Sequence, residues 1–170
     1  LLGDLIRWAD APLVFNEVDR LRRHGQFISA TLLRDLIEYG LPWTWRPARV
    51  GHAIGAPETN VAVVREATGL VAFGIMQYLA DDAHLALFAV QPAYQRHGVG
   101  SALLRWLEES ARAAGARRIR VEARRDNPAA RSFYNEHGYH ELSIVQQMYS
   151  GTLDGIRLQK WLRDAEATGP

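Results

Sequence analysis

The chain has 170 residues, 20 of them Lys or Arg against 19 Asp or Glu, for a net charge of +1, and 48% of it is hydrophobic. That suits one domain with a single core, and the near-balance of charge excludes a general nucleic-acid binder, which carries a strong basic excess. The lack of cysteine excludes disulfides, thiolate catalysis and cysteine-ligated metal, and no apolar run approaches the roughly 18 residues that span a membrane. Lys160 is the only lysine among the basic residues, which is read first as genome composition bias. The start, Leu1-Leu2-Gly3-Asp4, lacks the charged region and long apolar run of a signal peptide. A cytoplasmic location is therefore the expectation.

Residues 4 to 9 read as a short first strand. Pro12 then opens a helix, with Leu13, Val14, Val18 and Leu21 at helical spacing and Gly25 near its stop. A second helix is expected from Ser29, its cap, to Tyr39, ahead of Gly40. Residues 41 to 58 read as irregular, because Pro42, Pro47, Gly51, Gly55 and Pro57 interrupt them. Asn60 to Glu66 and Leu70 to Leu79 read as paired strands around a Thr68-Gly69 turn. The nearly all-apolar run His84 to Val90 suits a strand buried on both faces.

A helix follows a glycine-containing loop. Val99, Leu103, Leu104, Leu107, Ala111 and Ala114 form its apolar stripe, Glu108 and Glu109 fall on its solvent side, and Gly115 ends it. Arg118 to Ala123 alternates as a strand. Asn127 and Pro128 open another helix as cap and first residue, and it ends at Gly138. Two further strands, about Tyr139 to Tyr149 and Gly155 to Trp161, complete the chain. Hairpin-joined strands followed by strands alternating with helices predict one α/β sheet with both antiparallel and parallel pairs.

Chemistry concentrates in Gln95-Arg96-His97-Gly98-Val99-Gly100. The free amides and dipole of a helix start attract anions, and Gly98 and Gly100 leave room for a phosphate. Gln95, Arg96 and His97 add donors and charge. The loop does not match a nucleotide-triphosphate loop, since Ser101-Ala102 follows Gly100, nor the dinucleotide fingerprint, since the third glycine is missing. Two glycines alone fit a plain capped turn equally well.

The stretch from Leu87 to Gly100, Leu-Phe-Ala-Val-Gln-Pro-Ala-Tyr-Gln-Arg-His-Gly-Val-Gly, resembles the acetyl-coenzyme A motif of the GNAT superfamily of N-acetyltransferases, Gln/Arg-x-x-Gly-x-Gly/Ala. Asn127 to Tyr139, Asn-Pro-Ala-Ala-Arg-Ser-Phe-Tyr-Asn-Glu-His-Gly-Tyr, resembles its second motif. The resemblance covers roughly residues 60 to 150, with both motifs in the right order. It implies an acyl-coenzyme A N-acyltransferase fold: one mixed, mostly antiparallel sheet of about seven strands with a parallel, splayed central pair and about four helices. Residues 1-170 would form one acetyltransferase domain, with 1-58 on the acceptor side, 59-150 the cofactor-binding core and 151-170 a final strand and tail. It further implies that Phe88, Ala89 and Val90 pair with pantetheine, that Arg96 to Ser101 hold the pyrophosphate, and that Asn127 and Ala130 line the far side.

In this family a second-motif Tyr commonly protonates the leaving thiolate, and Tyr134 occupies that place; on its own it reads as an aromatic packing residue. Glu122 is the candidate base, as in the similar bacterial ribosomal-protein alanine acetyltransferases. It shares a strand face with Arg118 and Arg120, however, so an ion pair with a lowered pKa is the competing reading. His84, Asp81 and Asp82 are the rivals. Trp43, Trp45 and Arg49 either hold the acceptor by stacking and charge or plug the core edge; His84 is a further acceptor-side candidate. Arg117, Arg118, Arg120, Arg124, Arg125 and Arg131 form a basic cluster, facing either the 3′-phosphate of coenzyme A or solvent. Tyr149 sits where relatives carry a Tyr-Tyr-x-Gly turn, but Met148 replaces the first Tyr.

The expected function is acetyl transfer from acetyl-coenzyme A, with no metal, to a primary amine of a small molecule or a protein N-terminus. The alternative is a non-catalytic acetyl-coenzyme A sensor. No nucleic-acid or membrane partner is expected, and the resemblance adds that family members are often dimers.

Overall fold

The computed structural model describes residues 44–66 and 69–162. Helix α1 (Pro47–Gly55) comes first, then strands β1 (Thr59–Glu66), β2 (Gly69–Leu79) and β3 (Asp82–Val90). A 3-10 turn (Pro92–Tyr94) leads to helix α2 (Val99–Ala113), strand β4 (Arg118–Arg124), helix α3 (Pro128–Glu136) and strands β5 (His140–Tyr149) and β6 (Leu153–Trp161). Hydrogen bonding orders the six strands β1-β2-β3-β4-β6-β5. β3 and β4 run parallel, while β4 with β6 and β5 with β6 run antiparallel. The mixed α/β sheet with a parallel pair is therefore present, with six strands and three α-helices among the described residues. The expected strand at 4–9, the helices at 12–25 and 29–39, Trp43 and Thr68 lie outside them.

The irregular reading of 41–58 is corrected by α1. Pro47 is its first residue rather than a breaker, since proline's missing N–H has no partner to lose there. Val50, Ala53 and Ile54 fall at i, i+3 and i+4 and are all buried. β3 is corrected too. Its burial alternates strictly, with Ala83, Leu85, Leu87 and Ala89 buried and the residues between them half-exposed. One face of that strand is core and the other is available for function.

The described residues divide into two compact units, one holding residues 44–66 and 69–76 with Leu87–Leu107, the other Gln77–Ala86 with residues 108–162. In the first, Leu70 to Met76 of β2 are buried almost without break, and Val99, Leu103, Leu104 and Leu107 bring one stripe of α2 into the same core. Gly74 lies hard against this core. A Cβ there would lie 2.6 Å from Leu107 Cδ1 and 3.3 Å from Phe88 Cδ2. Leu107 is fully buried and has nowhere to retreat. Gly74→Ala is expected to destabilise the chain by about 1–3 kcal/mol through overpacking, read as a lower urea midpoint at unchanged slope; an unaltered midpoint would show that Leu107 yields freely.

In the second unit, Ala83, Leu85, Ile119, Val121, Ile156 and Leu158 make an apolar layer. Glu108 corrects the solvent-side reading of α2: it is buried, 7% exposed, and accepts a hydrogen bond from Lys160 Nζ at 2.7 Å. The chain's only lysine supplies the partner that makes this burial tolerable. Ala114 is exposed instead of closing the stripe, and Ala116, beyond Gly115, is buried in its stead. No helix among the described residues is long and apolar enough to cross a membrane.

Candidate active site

The first unit carries the glycine loop. β3 ends at Val90, whose carbonyl accepts from Gln95 Nε2 at 3.0 Å. Gln91 anchors the same corner: its N–H donates to Val71 O at 2.9 Å and its Nε2 to Leu70 O at 2.6 Å. His97 Nδ1 lies 2.7 Å from Gln95 O. Arg96 and Gly98 adopt φ of +62° and +85°. The left-handed turn costs a non-glycine residue about 1–2 kcal/mol, and alternating backbone hands aim successive N–H groups into one concavity. Ala102 N–H donates to Gly98 O at 3.0 Å and closes the first turn of α2. The N–H groups of that turn point out of the helix start toward the loop. Gln95 to Gly98 are exposed, and nothing lies within 4 Å of a Cβ built on Gly98. The result is an open, donor-rich helix start suited to a phosphate.

Phe88, Ala89 and Val90 form the strand end feeding this loop, with Ala89 buried and the other two half-exposed. Ser101 lies in the first turn of α2. Arg49 stacks its guanidinium on the half-buried Trp45 ring, 4.0 Å from the centroid. Those two acceptor-side candidates are thus brought together, each occupying the other.

The second unit carries the titratable groups. Ile119, Val121 and Ala123 of β4 are buried, leaving Arg118, Arg120, Glu122 and Arg124 on the opposite face, as alternation dictates. The parallel register sets Asp82 beside Arg118 and His84 beside Arg120, and ends at Leu85 with Val121. The antiparallel register sets Glu122 across from Arg157.

Two clusters result. Asp82 accepts from Arg118 at 2.9 and 2.7 Å and pairs with Arg120 at 2.6 Å. The Arg118 hydrogen bonds, more than burial opposes them, hold its carboxyl below the usual range, so Asp82 is committed to structure. Glu122 Oε2 lies 2.5 Å from His84 Nε2, and its Oε1 is 3.4 Å from Arg157 Nε. The His84 hydrogen bond is the main cause lowering the Glu122 pKa; burial opposes it and Arg157 assists. The arginine-paired reading of Glu122 is therefore half right. Its charge is held down, but by His84 and Arg157, while Arg118 and Arg120 serve Asp82.

α3 is built as its sequence indicates. Asn127 Oδ1 accepts from Ala130 N–H at 3.0 Å, and Pro128 is the first helical residue. Gly138, at φ +83°, ends the helix, and the Gly138 and Tyr139 amides return to the Asn135 and Tyr134 carbonyls at 3.0 Å each. Tyr134 is 6% exposed, with the Phe133 and Tyr139 rings edge-on, each 5.4 Å away. Burial raises its pKa far above the ordinary tyrosine value, and the nearby Tyr149 adds to this. Tyr134 therefore keeps its proton at neutral pH, as a general acid must.

Tyr149 was discounted on the sequence, yet it is close enough to Glu122 for that carboxylate to affect its titration. Burial first, then Glu122, pushes its pKa up to about 12. Arg157 was missed altogether, because only the β4–β6 register brings it to Glu122. The basic cluster is largely spent on ion pairs: Arg124 with Asp126, Arg125 with Asp154 and Arg131 with Glu141.

The acetyltransferase (GNAT) family model matches residues 24–139. Escherichia coli (strain K12) ribosomal protein bS18-alanine N-acetyltransferase is 38% identical over 86 residues, 51% of this chain and 57% of that enzyme. This chain thus spans little more than half the length of that relative. The Haemophilus ducreyi enzyme of the same name is 33% identical over 105 residues, 62% of this chain and 72% of the other. The crystal structure of the Escherichia coli alanine N-acetyltransferase superposes with a TM-score of 0.69 at 25% identity, over 84% of this chain and 92% of the other.

Proposed function

Since this chain belongs to the acetyltransferase (GNAT) family, we propose that it is an acetyl-coenzyme A-dependent N-acetyltransferase acting in the cytoplasm on a primary amine. The observation that carries this reading is the exposed glycine loop before α2, where Arg96 and Gly98 turn left-handed and nothing lies within 4 Å of a Cβ built on Gly98. On this reading the pyrophosphate rests on the amides from Gly98 to Ser101 and the loop donors Gln95, Arg96 and His97. Pantetheine pairs with the backbone of Phe88 to Val90, and residues 1-170 act as one domain.

Amine acetylation needs an uncharged amine to attack the thioester carbon, a base to take its proton and an acid to return one to the leaving thiolate. Tyr134 supplies the acid. The base belongs to the His84–Glu122 pair, 2.5 Å apart. The acceptor favoured is a protein α-amine, because the similar proteins are named ribosomal protein bS18-alanine N-acetyltransferases; a small-molecule amine is the second choice.

A coenzyme A release assay over N-terminal peptides and small amines tests the reading. Turnover is expected with at least one Ala-initiated peptide. Tight acetyl-coenzyme A binding with no turnover on any acceptor would instead mark the chain as a sensor.

A further inference from the structure

The relatives' resemblance points to Glu122 as the base, but the surroundings of this carboxylate argue otherwise. Glu122 is 15% exposed at its side chain and engaged through both oxygens, Oε2 with His84 Nε2 and Oε1 with Arg157 Nε. His84 is twice as open, 31% exposed at its side chain. It sits on the half-exposed face of β3. Its Nδ1 has no hydrogen-bond partner among the described residues, while its Nε2 is held. The hydrogen bond to a carboxylate fixes the tautomer: Nε2 carries the hydrogen and Nδ1 presents the lone pair.

We propose that His84 Nδ1 is the general base of the acetyl transfer and that Glu122, itself braced by Arg157, is its positioning residue. This rests on the acetyltransferase reading above. An acceptor ammonium first gives one proton to solvent, and His84 Nδ1 takes one proton from the neutral amine nitrogen as it adds to the thioester carbon. The N–C bond forms, the C–S bond breaks, and the sulfur takes the Tyr134 proton. The imidazolium then returns its proton to solvent, from which the Tyr134 oxygen is reprotonated. The products are the N-acetyl amine and coenzyme A, with no proton unaccounted for.

Glu122 serves this cycle as the carboxylate of a histidine–carboxylate dyad does, by holding the ring and stabilising the imidazolium. The other charges on this face are committed: Asp82 to Arg118 and Arg120, and Arg157 to Glu122. Arg120, the register neighbour of His84, is thereby prevented from opposing imidazolium formation as an uncompensated cation.

The test is the pH profile of kcat/KM for the full chain, with the best acceptor from the peptide panel, and for its His84→Ala and Glu122→Gln variants. His84→Ala should lose about 100-fold or more in kcat/KM, with acetyl-coenzyme A affinity unchanged, and should lose the acidic limb of the profile. Glu122→Gln should keep measurable activity while its acidic limb moves to lower pH, because the imidazolium loses its counter-charge. A structural role for Glu122 would not move that limb. A His84→Ala variant as active as the parent, or an inert Glu122→Gln variant beside an active His84→Ala, would overturn the assignment and return the base to Glu122. Should either variant not fold, the ring of His84 in the parent chain is followed by NMR. It must titrate at the pKa of the kinetic limb, and a mismatch overturns the proposal. A parent chain that turns over no acceptor fails at the earlier step, and the dyad falls with the acetyltransferase reading itself.

Discussion

Gly98→Glu should abolish the thermal stabilisation of this chain by acetyl-coenzyme A. The parent, at about 100 times the dissociation constant, should gain about 2.7 kcal/mol, a rise in Tm of roughly 5–10 °C for a chain of this size. The new carboxylate would project beside the amides of Val99, Gly100 and Ser101, where a phosphate is meant to lie. Loss of charge-assisted hydrogen bonds worth about 1.5–3 kcal/mol each, with repulsion added, weakens binding about 100-fold or more. A hundredfold loss would leave about 0.4 kcal/mol of stabilisation. Gly98→Ala separates charge from backbone strain. It meets the same positive φ of +85° and the same open space, so it should lower the unliganded Tm yet keep most of the shift. An undiminished shift in Gly98→Glu would remove the phosphate from this loop.

Tyr134→Phe should cut turnover about 100-fold or more while acetyl-coenzyme A affinity changes little. The phenylalanine ring keeps the edge-on contacts with Phe133 and Tyr139 at 5.4 Å, so the ring packing is preserved while the hydroxyl is removed. On the proposed mechanism the buried hydroxyl, raised in pKa by desolvation, would hold its proton until sulfur leaves with its electron pair. Parallel losses of turnover and cofactor affinity would mean that Tyr134 shapes the helix and donates no proton. Coenzyme A release, with cofactor affinity measured separately by calorimetry, distinguishes the two.

Much of this was legible in the chain itself. Asn127, Pro128 and Gly138 delimit α3 by local chemistry, a cap, a fixed φ and a left-handed stop, and the structure realises all three. The alternation Arg-Ile-Arg-Val-Glu-Ala by itself places Glu122 on the face opposite Ile119 and Val121, as the strand shows. α1 hides in the sequence because Pro47 and Gly55 have the chemistry of breakers yet stand at the two ends of one short helix. β3 was misread because apolar residues on its half-exposed face, such as Phe88, look like core residues in a sequence.

By itself the sequence determined the ends of α3, the glycine loop and the second motif. Each of these depends on residues within a turn or two of one another, where backbone sterics and hydrogen-bond geometry act directly. Only the tertiary structure decided what charge does on the sheet. Glu122 meets His84, 38 positions away, and Arg157, 35 positions away. Asp82 meets Arg118, and Lys160 meets Glu108 on α2. Strand register makes the sheet contacts, and register is set by which faces are buried across several strands at once. No local spacing encodes it, so the partner that decides whether a carboxylate is base, brace or structural ion pair emerges only when β3, β4 and β6 lie side by side.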